Sequence, residues 1–203
     1  MAPVLLEGSL YNFTLSTPQS KPWALEELKG TAKAVLLVNT ASECGYTPQI
    51  GPLGDLYKEY KDRGLVVIGV PSNDFGSQEP LASDKIPSFC ETNFGATFPL
   101  SAKVTNQCIT ATVVMWEPFF WWFADCVHLH PIGSFNRSTN STSPQIHVAK
   151  GDVDPLYQWL GTYSKPKWNF AKYLFDSEGQ LIGAYESSKT PAQLKGEIEK
   201  LLA

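Results

Sequence analysis

Two short runs of apolar, β-favouring residues, Ala34-Val-Leu-Leu-Val-Asn39 and Leu65-Val-Val-Ile-Gly-Val70, constrain this chain more than any other feature. Neither alternates polar with apolar positions, so each needs cover on both faces, as a strand in a parallel sheet does. Between them Leu53, Leu56, Tyr57 and Tyr60 recur at helical spacing, which makes the passage a βαβ unit and the fold class α/β.

The remaining elements extend that core. Asp84 to Asn93 reads as a helix with Ser83 as its N-cap, and Phe98-Pro-Leu-Ser-Ala-Lys-Val104 as a short strand whose proline places it near a sheet edge. Asp154 to Thr162, with Pro155 in its first turn, is another helix. Ala171–Phe175 and Leu181–Tyr185 flank the turn Asp176-Ser-Glu-Gly179 as a β-hairpin, and a last helix opens with a Thr190–Gln193 capping box. The order resembles a thioredoxin-like fold, a central mixed sheet flanked by helices, with an extra helix and strand inserted. Fold of itself gives no function.

A chain of 203 residues suits one domain, so 1–203 is expected to be a single unit. A net charge of -4 and scattered Lys and Arg leave no basic footprint for nucleic acid. The most apolar stretch, Ile109 to Ala124, carries Glu117 and Pro118 and falls short of the roughly 20 apolar residues of a membrane span. The N-terminus lacks a basic region followed by a cleavage pattern, so a cytoplasmic location is expected, with a mitochondrial pool left open. In that compartment Cys44, Cys90, Cys108 and Cys126 are expected as thiols, any disulfide being transient.

Residues 105–147 interrupt the pattern. They hold three charged residues (Glu117, Asp125, Arg137) but three of the six tryptophans and all three histidines, then pass into Ser/Thr/Asn-rich sequence. A connection this long inside one domain reads as an insertion: a retained intron, a disordered loop or a lineage-specific one. Cys126-Val-His-Leu-His130 has metal-ligand residue types at a spacing that matches no zinc pattern, so neither metal nor cofactor is expected.

Cys44 follows the first apolar run by the loop Thr40-Ala-Ser-Glu and precedes the helical pattern. A cysteine there feels the positive end of the helix dipole and nearby N–H donors, which favour thiolate. Position 47, where a CxxC motif would put its second thiol, is threonine, which disfavours dithiol exchange. Context alone leaves two readings open, a reactive thiolate and a buried structural thiol.

Three blocks bear on that choice. Asn39-Thr-Ala-Ser-Glu-Cys-Gly-Tyr-Thr-Pro-Gln49, Pro71-Ser-Asn-Asp-Phe-Gly-Ser-Gln-Glu-Pro80 and Lys167-Trp-Asn-Phe170 resemble, in order, the signatures of the glutathione peroxidase family. The similarity runs over roughly 11–104 and 148–203. The resemblance implies a catalytic tetrad of Cys44, Gln78, Trp168 and Asn169, the last three offering N–H donors to the thiolate and lowering its pKa. Ser72 stands where relatives often carry cysteine, outside the tetrad.

Cys90, in Ile86-Pro-Ser-Phe-Cys-Glu91, resembles the resolving cysteine of the thioredoxin-dependent branch. The cycle so implied reduces hydrogen peroxide and organic or lipid hydroperoxides through a Cys44 sulfenic acid. Cys90 then closes a disulfide that thioredoxin, rather than glutathione, reduces. Because Cys90 lies on a helix away from Cys44, closure implies local unfolding of that helix. The stretch between the helix at 154 and Trp168 is short, as in monomeric members. Two other readings stand beside this one: a peroxide sensor passing oxidation to a partner protein, and a variant inactivated by the insertion.

Overall fold

The two apolar runs form the centre of the sheet. In the computed structural model, which describes residues 8–103, 148 and 153–203, β3 (Ala34–Thr40) is buried along its whole length and β4 (Leu65–Pro71) everywhere except Val66. They pair in parallel from Ala34–Leu65 to Thr40–Pro71, and α1 (Ile50–Tyr60) makes the crossover. On the other side of β3, β5 (Lys172–Phe175) runs antiparallel, Val38 opposite Lys172 and Val35 opposite Phe175. The hairpin to β6 (Leu181–Tyr185) completes a mixed sheet in the order β4-β3-β5-β6.

Residue parity along β3 divides the core into two layers. Ala34, Leu36 and Val38, with Leu174 of β5, face Ile50, Leu53 and Leu56 of α1, Ile86 and Cys90 of α2 (Ile86–Phe94) and Ile198 of α4 (Lys195–Leu201). Val35 and Leu37, with Tyr173 and Phe175, face Leu156, Tyr157 and Leu160 of α3 (Pro155–Leu160). Asp154 caps α3, its Oδ1 accepting from the Leu156 N–H at 2.8 Å. The Thr190–Gln193 capping box is present, on a 3-10 turn that runs into α4.

Four expectations change in detail. α2 starts at Ile86, and Ser83 does not cap it: the Ser83 hydroxyl accepts from the Lys103 N–H at 2.9 Å. Its C-terminus is closed by Gly95 in the left-handed region (φ 61°), whose N–H donates to Glu91 O. The helix expected over Asp154–Thr162 covers Pro155–Leu160. The strand expected at 98–104 is a single parallel bridge, Gly69 to Leu100, because Pro99 has no N–H with which to extend a ladder. A ribbon of β1 (Thr14–Ser16) and β2 (Pro22–Ala24), too short for periodicity to announce, pairs antiparallel ahead of the core.

The expected insertion at 105–147, with Cys108, Cys126 and the Cys126–His130 segment, lies outside the described residues. Among the described residues no group of three or more His, Cys, Asp or Glu side chains could hold a metal ion, and no helix is long and apolar enough to cross a membrane.

Gly69 is where the Pro99 segment closes on the sheet. It donates to Pro99 O and accepts from the Ser101 N–H, both at 2.9 Å. A Cβ there would stand 2.5 Å from Leu100 Cδ2 and 3.0 Å from Phe98 Cε2. Gly69→Ala is expected to lower unfolding stability by about 1–3 kcal/mol, the usual range for overpacking, as read from urea denaturation midpoints.

Candidate active site

Cys44 lies in the loop between β3 and a 3-10 turn, Thr47–Gln49, that leads into α1. The thiol is 6% exposed. Its Sγ accepts the Tyr46 N–H at 3.4 Å. The loop is fastened through Thr47, whose hydroxyl accepts the Cys44 N–H at 2.9 Å and donates to Ala41 O at 2.8 Å. Sequence reasoning read position 47 only as a missing second cysteine. Its actual work is to fix the backbone under the thiol, a local hydroxyl-to-backbone arrangement for which threonine is suited. The helix-start donor expected for Cys44 arrives through the Tyr46 N–H, several residues ahead of α1.

The other implied residues gather on this loop from two separate stretches of chain. Gln78 follows a turn in which Gly76 (φ 67°) and Ser77 (φ 54°) are both left-handed. Its carbonyl accepts the Glu43 N–H at 2.9 Å, next to Cys44. Trp168 and Asn169 precede Phe170, a fully buried aromatic held at φ 68°, an uncommon conformation for a bulky residue. Phe170 N–H donates to Asn39 O at 2.7 Å, and Asn39 Nδ2 donates to Trp168 O at 3.2 Å. The strand that delivers Cys44 thus also holds the Trp-Asn turn.

Asn169 is fully buried, and its Nδ2 donates to Gln78 Oε1 at 3.0 Å and to Phe75 O at 3.3 Å. This alters the expected picture. The Asn169 amide is engaged with Gln78 and Phe75, and among the described residues the Tyr46 N–H is the donor bonded to the sulfur. Asn169 takes the oxygen of Gln78, and among the described residues the Gln78 Nε2 hydrogens have no acceptor. The Trp168 indole packs tilted against Phe75, ring centroids 5.9 Å apart at 48°, and the residue is 41% exposed. Amide and indole donors brought to the Cys44 loop are of the kind that stabilise charge on a departing oxygen when an O–O bond breaks.

Cys90 packs on α2 in the same core layer as Cys44, and both are free thiols. Burial first, then the charge of Glu79, pushes the Cys90 thiol up to about 12, so it rests protonated. Glu79 is a residue that sequence reasoning passed over. Only 1% exposed, it accepts the Ser42 hydroxyl at 2.8 Å, two residues before Cys44, and burial raises its own carboxyl pKa. Its carbonyl and that of Leu81 are held by the Lys103 ammonium at 3.0 and 2.8 Å.

The glutathione peroxidase family model matches residues 10–114. Along nearly the whole chain, 35% of 198 residues are identical to the glutathione peroxidase-like peroxiredoxin GPX5 of Chlamydomonas reinhardtii, covering 95% of each. The chain belongs to the glutathione peroxidase family. It is 36% identical over 195 residues to the hydroperoxy fatty acid reductase gpx1 of a Synechocystis strain, covering 96% of each. The crystal structure of Trgpx in apo form superposes with a TM-score of 0.61 at 25% identity, over 97% of this chain and 96% of that one. Family membership makes this chain a peroxidase-type oxidoreductase, on the thioredoxin-like α/β architecture that the strand order gives.

If the Gln78 donors serve the reacting oxygen while Asn169 only aims them, the two residues differ in effect. Gln78→Ala is expected to slow oxidation of Cys44 by hydrogen peroxide about 100-fold, the scale of losing one preorganised donor. Asn169→Ala is expected to slow it about tenfold, the scale of one hydrogen bond. Stopped-flow tryptophan fluorescence at fixed pH reads both.

Proposed function

We propose that this family member reduces hydrogen peroxide and organic or lipid hydroperoxides through Cys44, with Cys90 as resolving thiol and thioredoxin as reductant. The Asn169–Gln78 bond carries the reading, because it fixes the donor end of Gln78, whose own carbonyl holds Glu43 next to Cys44, a cysteine whose sulfur accepts a backbone N–H. The Cys44 thiolate attacks one peroxide oxygen, the O–O bond breaks, and the departing alkoxide takes a proton to leave as alcohol or water. Cys44 becomes a sulfenic acid. The Cys90 thiolate then attacks that sulfur, hydroxide leaves as water, and a disulfide forms. Two electrons and two protons from the thioredoxin dithiol restore both thiols.

Resolution needs Cys90 to leave its burial site. In the folded state its thiol is protonated and enclosed in the core, so α2 must open before Cys90 can ionise and reach Cys44. α2 is nine residues long and has no side-chain N-cap, so its first turn, rather than its glycine-capped C-terminus, is where opening would begin. Glutathione is a poorer reductant on this reading, since no basic cluster is available to receive it. The short stretch between α3 and Trp168 supports a monomer, and we place the protein in the cytoplasm.

In a coupled assay with thioredoxin, thioredoxin reductase and NADPH, the parent is expected to consume NADPH on addition of peroxide and Cys44→Ser not to. Cys90→Ser is expected to complete one oxidation of Cys44 and then stall. Turnover of Cys90→Ser at the parent rate would remove Cys90 from the cycle.

A further inference from the structure

Lys172 is a fully buried charged side chain in the sheet that neither the implied tetrad nor the resolving step uses. It is 0% exposed and projects from β5 on the same face as Leu174, into the core layer that contains Cys44. Among the described residues no carboxylate is paired with it. Its ammonium donates instead to Phe170 O at 2.8 Å and to Ser187 O at 3.5 Å. An unpaired buried cation is costly, and an apolar side chain of similar length would fill the site without that cost. Its bonds therefore point to a role beyond packing.

Each carbonyl it holds belongs to a different part of the site. Phe170 is the left-handed residue that closes the Trp168-Asn169 turn. Ser187 O also accepts Gln49 Nε2 at 2.8 Å, and Gln49 ends the 3-10 turn that begins at Thr47, the residue fastened to Cys44. A continuous path runs from the Cys44 loop through Gln49, Ser187 O and the ammonium to Phe170 O and the turn that carries Asn169.

We propose that Lys172 is a positioning residue for the peroxidatic step: by gripping Phe170 O and Ser187 O, its ammonium keeps the Trp168-Asn169 turn in register with the Cys44 loop. The inference rests on Cys44 being the peroxidatic residue. Burial lowers the Lys172 pKa to about 8, so the charge-assisted grip weakens within an accessible pH range. In register across the sheet it faces Val38 and Tyr185. Among the described residues the ionisable groups of the surrounding layer are the Cys44 and Cys90 thiols and the Tyr57, Tyr60 and Tyr185 hydroxyls, the last two bonded respectively to Glu199 and Glu197. The Tyr60 phenol is raised above its ordinary range by Glu199 and then burial, and the Tyr185 phenol by burial and then Glu197. They stay neutral where Lys172 titrates.

The test is the rate constant for Cys44 oxidation by hydrogen peroxide, divided by the thiolate fraction measured by iodoacetamide alkylation, from pH 6.5 to 9.5. Lys172→Met is expected to fall about tenfold below the parent at pH 6.5, the loss of one charge-assisted hydrogen bond, and the gap to narrow as the pH rises through about 8, because the neutral amine keeps only the weaker, uncharged bonds. A folded Lys172→Met that matches the parent at pH 6.5, or a parent-to-variant ratio constant across the range, would overturn the proposal. Gln49→Leu cuts the path at its other end and is half-buried, so it serves if Lys172→Met does not fold. A several-fold loss, the same at every pH, is expected of it, and a parent-like rate would overturn the shared register. A parent whose Cys44 is no faster than free cysteine thiolate would sink the peroxidase reading itself, which an unaffected variant of an active parent would not.

Discussion

The hydrogen bond from Asn169 to the amide oxygen of Gln78 is the contact around which the site is arranged. A glutamine amide has a donor end and an acceptor end, and only the donor end stabilises a thiolate or a departing oxyanion. By occupying the oxygen, Asn169 decides which end of the amide is available to the proposed reaction. That decision requires two loops, 91 residues apart in sequence, to meet within hydrogen-bond distance. Much of the local architecture serves this meeting: left-handed Gly76 and Ser77 turn Gln78 inward, left-handed Phe170 turns Asn169 inward, and Asn39 at the end of β3 holds the second turn.

The central strand explains why these parts share one frame. β3 is paired on both sides and buried along its length, so its C-terminal end is a fixed reference. From that end the chain supplies Asn39, then Cys44. Strain in the flanking turns is sustained because the sheet behind them does not yield, in the way functional sites commonly hold residues in sparsely populated conformations. α2 stands in contrast. Its cysteine is enclosed and protonated, and its first turn has no side-chain cap. A rigid site for the first step and a short helix without a side-chain N-cap for the second fit the proposed cycle, in which one thiol stays put and the other travels.

The fold was legible where residues form long patterned segments. The runs at 34–39 and 65–70, the helix at 53–60, the hairpin around Gly179 and the capping box at Thr190 each carry a local signal strong enough to survive tertiary context. Legibility failed where a partner distant in sequence decides. Ser83 is a reasonable cap by residue type, yet the Lys103 N–H claims its hydroxyl. The segment at 98–104 has strand composition, but Pro99 limits it to one bridge. At the site, three blocks named Cys44, Gln78, Trp168 and Asn169 but could not show that Asn169 bonds Gln78. Thr47, Glu79 and Lys172 gave no signal of their own, because their roles consist of bonds to backbone or to residues that only folding brings near.

The central claim is that Cys44 is an activated thiolate whose oxidation is passed to Cys90, and time-resolved mass spectrometry after one equivalent of hydrogen peroxide tests it most directly. The account predicts one added oxygen on the Cys44 peptide at the earliest times. That species should give way to a pair of peptides joining Cys44 to Cys90 with two hydrogens lost. Oxygen spread over the cysteines at the pace of free thiols, or an unmodified Cys44, would contradict it.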